Sequence, residues 1–214
     1  MATIEYFYSS HSSYAYIGSA RFMAIANARG RSITHRPMDL RKVVATTGPG
    51  PTNSLTPQRR AYFSGREIAR WAQMRDVAIQ NRRPTHHDHD ITLSNGMLIA
   101  ALEKGHNIDQ LAHSLLEAHW RNDADLADAK TLIRLGDAAG LNGRALLGAA
   151  LNDTALNDTV QRVYQANTEE AIRRSVFGSP TYFVDGDMFY GQDHLELVDR
   201  ACVQPFDGQW PPLG

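Results

Sequence analysis

The tightest constraint on this chain lies near its C-terminal end. There Ser179-Pro180 runs into Thr181-Tyr182-Phe183-Val184, then Asp185-Gly186, then Met188-Phe189-Tyr190. β-Branched and aromatic residues suit a pleated, half-buried strand, and Asp-Gly accepts the backbone of a tight hairpin turn. Two antiparallel strands are therefore predicted. Pro180 cannot donate a ladder hydrogen bond, so it belongs at the mouth of the first strand. The sequence leaves its isomer open, because cis is a minority state even before proline. A cis bond would leave the Ser179 backbone unpaired and able to pair with an extended peptide. After the hairpin, Leu195, Val198 and Cys202 have helical spacing, with Asp193 placed to cap a helix whose N-terminus attracts anions.

The N-terminal end supplies the rest of a sheet. Residues 4–8 read as a buried strand, 14–28 as a helix carrying Tyr16, Ile17, Ala20, Met23 and Ala24 on one stripe, and 32–37 as a second strand. Strand, helix, strand predicts a parallel pair joined by a crossover. From Met38 the character changes. Residues 46–57 hold three prolines and two glycines and read as a loop, and beyond it only helical patterns follow: 60–75, 93–103, 108–120, 126–138, 144–151 and 159–175. The expected fold is α/β, a thioredoxin-like four-stranded mixed sheet with a large all-helical insertion. Residues 1–40 and 176–214 would form the discontinuous thioredoxin-like part and 41–175 the insertion.

Composition excludes several classes. A net charge of −1 over 214 residues gives no electrostatic footprint for nucleic acid. The single cysteine, Cys202, excludes an intrachain disulfide and fits a reducing compartment. No apolar run reaches the roughly 18 residues of a membrane span, and the start of the chain lacks the basic region of a signal peptide. A soluble, cytoplasmic protein is expected. Asn152-Asp153-Thr154 and Asn157-Asp158-Thr159 read as turn and helix-cap residues.

Several short motifs, in this order and spacing, carry a resemblance that covers nearly the whole chain. They are Ser10-x-x-Ser13-Tyr14, Asp39-Leu40, Pro51-Thr52-Asn53, Arg59-x-x-Tyr62, Arg70-Trp71, the 176–181 stretch and Gly191-Gln192-Asp193. The chain resembles the 2-hydroxychromene-2-carboxylate isomerases and the kappa-class glutathione transferases, the disulfide-oxidoreductase-like branch of thioredoxin folds. The resemblance implies glutathione as cofactor, a small aromatic carboxylate substrate from aromatic hydrocarbon catabolism, and a homodimer. It implies that Ser10 hydrogen-bonds the glutathione sulfur and that Asn53 lies near sulfur and substrate. Ser179, before Pro180, would pair through its backbone with the cysteinyl part, and Arg59 would pair with a glutathione carboxylate. Gln192, Asp193 and His194 would hold the γ-glutamyl end. His194 stands where the family has arginine, which weakens one carboxylate contact or makes it pH-dependent. His11 and Ser12 stand where the family has proline and an aromatic residue.

Ser10 and Ser13 occupy positions where a disulfide oxidoreductase carries cysteines, so this chain cannot exchange disulfides there and a thiol must come from outside. A helix N-terminus and a hydroxyl would lower that thiol's pKa. By its type alone Ser10 reads first as a plain helix cap, and the downstream motifs turn it to the sulfur contact; Ser13 reads as a structural cap partner. His11 is a base, a substrate contact or an exposed turn residue. Tyr62, Trp71 and Trp120 are candidates to wall an aromatic pocket or to pack in the core, the commoner place for an aromatic at helical spacing, and Tyr62, one turn from Arg59, is the best pocket candidate. The run His86-His87-Asp88-His89-Asp90 reads as a solvated loop with Asp90 capping the next helix, and no metal is expected. Arg82 and Arg83, just before it, attract an anionic substrate or sit on the surface. The expected activity is a glutathione-dependent isomerisation by reversible thiolate addition. The alternatives are a kappa-like transferase that consumes glutathione and a non-catalytic thioredoxin-fold binding protein.

Overall fold

A computed structural model describes residues 2–48, 56–153 and 155–207. Its centre is a four-stranded sheet in the order β2-β1-β5-β6, built from β1 (Thr3–Tyr8), β2 (Ser32–Pro37), β5 (Thr181–Val184) and β6 (Asp187–Tyr190). β1 pairs parallel with β2, Ile4 opposite Ile33 and Tyr8 opposite Pro37. On its other side it pairs antiparallel with β5, Tyr6 opposite Tyr182. The expected hairpin forms: Asp185 and Gly186 take φ of 50° and 95°, the left-handed pair that a primed turn demands. The Ser179–Pro180 bond is cis.

Alternation along β1 builds two cores. Ile4, Tyr6 and Tyr8 face α1 (Ser13–Ala28), where Tyr6 stacks between Tyr8 at 4.1 Å and Tyr182 at 5.4 Å and Phe22 closes the stack. Phe7 faces the other way, onto Phe183, Met38, Val43 and Val176. The first core continues without a break into the helical stretch, through Leu98, Leu115, Leu126 and Leu146. A polar chain fastens the two parts: the Tyr8 hydroxyl bonds His35 Nδ1 at 3.0 Å, and His35 Nε2 bonds Asp109 at 2.8 Å.

The helical stretch comprises α2 (Leu40–Thr46), α3 (Pro57–Ala61), α4 (Glu67–Met74), α5 (Thr92–Glu103), α6 (Asp109–Asn122), α7 (Ala129–Ala138), α8 (Gly143–Ala150) and α9 (Asp158–Arg173). Three details differ from the periodicity. The expected helix over 60–75 is interrupted by a π turn at Tyr62–Arg66, where one added residue rotates the faces downstream. A short antiparallel pair, β3 (Leu151–Asn152) with β4 (Ala155–Leu156), lies where a helix end and a turn were expected, because four residues of ladder carry no legible period. The last helix, α10 (Leu195–Ala201), starts after a 3-10 turn at Gln192–His194, so Asp193 lies inside that turn and does not cap it. Asn157 does cap α9, accepting from Thr159 and Val160 N–H. Asp90 accepts from Thr92 N–H at 2.7 Å at the start of α5.

Candidate functional site

β1 ends at Tyr8, and the chain turns through Ser9, Ser10 and His11 before α1 begins. Ser12 is the N-cap of α1. Its Oγ accepts from Ala15 N–H at 3.3 Å and donates to the Ser179 carbonyl at 3.0 Å, joining the helix start to the segment before Pro180. Ser9 N–H in turn donates to Ser179 Oγ at 3.3 Å. Ser179 thus has its carbonyl and hydroxyl engaged, while its N–H finds no acceptor among the described residues. The first turn of α1 contains no acidic residue, so its unpaired N–H groups present uncompensated positive potential.

From below, α5 holds the turn in place. Asn95, fully buried, accepts from Ser10 N–H at 3.1 Å and donates toward Met38 O and the Tyr164 hydroxyl. Ser94 Oγ donates to Ile91 O, so the 2.7 Å contact between the hydroxyls has Ser10 donating to Ser94. Neither Ser94 nor Asn95 could be picked from sequence, since each sits in an apolar helix and faces the turn only through long-range packing.

A cleft of about 1250 Å³ opens over this assembly. Its floor is His11, Ser12, Ser13 and Ser179, its walls include Phe63, Trp120, Phe177 and Tyr190, and Arg60, Arg83, His87 and Asp88 supply charge and hydrogen-bonding capacity at its side. Tyr14 donates its hydroxyl to Phe63 O at 2.8 Å, which ties the π turn to α1 and presents Phe63 to the cleft.

Placement of the expected residues is mixed. His11, Ser179 and Ser13 lie at the cleft. Ser10 is completely buried beneath it, committed to Ser94 and Asn95, whereas Ser12, itself largely buried, and Ser13 line the floor. Ser12, not Ser13, is also the cap. Arg59 and Tyr62 are exposed and do not line the cleft, where Arg60 and Phe63 stand in their place; Tyr62 lies under the Arg70 guanidinium instead, 5.8 Å away. Trp120, for which the sequence leaves both a pocket wall and core open, is packed and part of the wall, with Nε1–H donating to His11 O at 2.8 Å. Trp71 packs against the core. Gln192 is buried and accepts from Arg75 through side chain and backbone, but its Nε2 has no partner. Asp193 is half-exposed and its charge, after burial, adds to the upward pKa shift of the Tyr14 and Tyr190 phenols. His194 donates Nδ1–H to Tyr190 O at 2.6 Å. Asn53 and the Pro51-Thr52-Asn53 motif lie outside the described residues.

The histidines beside the cleft form one group. His11 Nδ1 bonds Ser9 Oγ at 3.0 Å, and its ring lies 4.9 Å from that of His87. His87 Nδ1 is 2.9 Å from His119 Nε2, and His119 Nδ1 is 3.0 Å from Ala124 O. A carbonyl only accepts, so His119 carries its proton on Nδ1, Nε2 accepts from His87 Nδ1–H, and His87 Nε2 is left as an acceptor. Burial holds all three below the ordinary histidine value, His87 at about 4, with the positive neighbours acting in the same direction on His11 and His87. The wall therefore offers neutral imidazoles at neutral pH.

No thiol belongs to this site. Cys202 follows α10, and its carbonyl accepts from Arg31, which also holds Thr3 O at the far end of β1.

The model of the DsbA-like thioredoxin domain matches residues 3–202 of the sequence. The chain belongs to the DsbA-like thioredoxin-domain family. Among curated members, the 2-hydroxychromene-2-carboxylate isomerase of Sphingobium xenophagum is 24% identical over 206 residues, covering 94% of this chain and 98% of its own. A solved 2-hydroxychromene-2-carboxylate isomerase superposes with a TM-score of 0.73 at 21% identity, covering 93% of each chain. The cytosolic disulfide reductase DsbM of Pseudomonas aeruginosa, in a structure with GSH, gives 0.59 at 18% identity, covering 95% of this chain and 93% of its own. The thioredoxin-like fold and its helical insertion are those of the DsbA-like family; in this DsbA-like chain the turn after β1 carries serines and no cysteine.

Proposed function

We propose that the protein is a glutathione-dependent isomerase acting on a 2-hydroxychromene-2-carboxylate-type substrate. The observation that carries this reading is the Ser179 N–H, unpaired among the described residues, at a cleft that adjoins a carboxylate-free helix N-terminus and contains no thiol. Such a floor suits a small thiol peptide. The curated relatives that bear the isomerase name support the reaction class, and the GSH-containing structure of the disulfide reductase DsbM supports a thiol peptide as ligand of this fold.

The residues present fit glutathione. Ser179 would pair with its cysteinyl backbone, the first-turn N–H groups of α1 would favour its thiolate, and the Asp193 carboxylate would receive its ammonium group. The buried Gln192 Nε2, lacking a partner, is a further donor for the γ-glutamyl end. Glutathione, when bound, supplies the sulfur that adds reversibly to a conjugated carbon, so that a double bond becomes a single bond free to rotate. Ser12 fixes the geometry of the floor, Ser10 supports it from beneath, and the neutral His11 accepts or returns a proton at its ring nitrogen. Phe63, Trp120 and Tyr190 would enclose the aromatic part of the substrate, with its carboxylate toward the side where Arg60 stands and Arg83 is paired with Asp88.

The test is conversion of 2-hydroxychromene-2-carboxylate with and without glutathione, with free thiol counted throughout. Turnover that requires glutathione and leaves the thiol titre constant is expected. Stoichiometric thiol loss would make the protein a transferase, and turnover indifferent to glutathione would remove the reading.

A further inference from the structure

His86, His89 and Asp125 stand beside the cleft wall but do not line it, and nothing in the isomerase reading uses them. The two histidines are three residues apart in one turn, closed by His89 N–H donating to His86 O at 3.1 Å. The carboxylate comes from the segment after α6. His89 Nδ1 lies 3.0 Å from Asp125 Oδ2 and His86 Nδ1 lies 3.7 Å from the same oxygen. One donor atom from each side chain falls within 4.8 Å of the others. A tetrahedral ion with bonds of about 2.0–2.1 Å spaces its ligands about 3.3–3.4 Å apart, and the two measured separations bracket that value.

The surroundings keep these groups in place. Asp125 Oδ1 accepts from Ala127 N–H at 2.9 Å, which orients the carboxylate and leaves Oδ2 to the histidines. Arg41 donates to the carbonyls of His87, Asp88 and His89, holding the turn by its backbone. All three side chains are part-exposed, so an ion can enter and a water can complete its shell.

We propose that His86, His89 and Asp125 bind one divalent transition cation of the zinc class, which fastens the 84–91 turn to the segment following α6. The cation is a clip. By holding the turn, it positions His87 and Asp88, which do line the cleft. Both contacts are also within reach of plain histidine–carboxylate pairing, and the cobalt titration separates the two arrangements.

The untagged full chain, stripped with chelator, is titrated with CoCl2 while visible ligand-field absorption is followed, and melted with and without ZnCl2. One equivalent of Co2+ bound in a low-coordinate, intense spectrum is expected, with a Tm rise of about 5–10 °C when Zn2+ exceeds its Kd about 100-fold. His86→Gln and Asp125→Asn should each weaken Co2+ binding at least 10-fold, while His106→Gln, at an exposed position elsewhere, should not change it. The apo melting temperature of each variant separates lost ligation from lost folding, and His86→Gln removes no hydrogen bond of the apo protein. No cobalt spectrum, no zinc-dependent Tm change, or binding that survives His86→Gln combined with His89→Gln would overturn the proposal.

Discussion

Ser12 Oγ donates to the Ser179 carbonyl across 3.0 Å, joining residues 167 positions apart at the floor of the cleft. The same hydroxyl oxygen caps α1. Ser12→Ala should therefore cost about 1–2 kcal/mol and lower Tm by about 3–6 °C. Glutathione-dependent turnover should fall at least 10-fold, since the two floor segments lose their connection. Ser12→Thr should restore most of both. Thermal melts and the isomerase assay read the two effects separately.

Ser10 and Ser12 should behave differently. Ser10 is buried and donates to Ser94, so Ser10→Ala leaves an acceptor unmet and should cost about 1 kcal/mol, with a smaller loss of turnover than Ser12→Ala. A reversed order, with Ser10→Ala stable and inactive and Ser12→Ala active, would place the sulfur at Ser10 and refute the placement argued above.

Phe63 lines the cleft and Tyr62 does not. Phe63→Ala should raise the KM for the aromatic substrate about 10-fold or more, whereas Tyr62→Ala should leave it within about twofold. Equal effects would mean that the π turn is absent in solution.

His11 is held neutral first by burial, then by coupling to the His87 and His119 rings and by the Arg41 and Arg83 guanidiniums. Its folded pKa lies below the ordinary 6.5, so below that value the unfolded chain binds the extra proton first. Its contribution to stability is complete above about pH 6.5 and is lost as pH falls toward the folded pKa, by up to about 1.4 kcal/mol per pH unit. The paired carboxylates Asp109, Asp185 and Asp199, with pKa values lowered by their partners, lose their contributions only below the ordinary carboxylate range, a separate and more acidic window. Melting curves between pH 7 and 5 should show a falling Tm whose slope is reduced in His11→Asn; an unchanged slope would contradict the assignment.

The elements around the cleft differ in how openly they declared themselves. β5 and β6 follow from Thr-Tyr-Phe-Val, Asp-Gly and Met-Phe-Tyr, because propensity and turn chemistry act over two or three residues. The parallel pair follows from a strand-helix-strand pattern with a clean change of period. Phe63 and Arg60, not Tyr62 and Arg59, line the cleft, and no hydrophobic spacing announces it: α3 is short and exposed, and the π turn that follows carries no sequence sign of its added residue.

Local rules were thus enough to specify the sheet, its hairpin and the absence of any thiol near Ser10, since each depends on the identities of neighbouring residues. Packing alone decided that Ser94 and Asn95 hold the turn after β1, that Ser12 lines the cleft while Ser10 lies beneath it, and that His11, His87 and His119 meet. Those contacts join residues 32 to 85 positions apart. A side chain's type shows what bonds it can make, but only the folded chain determines which partners come within reach.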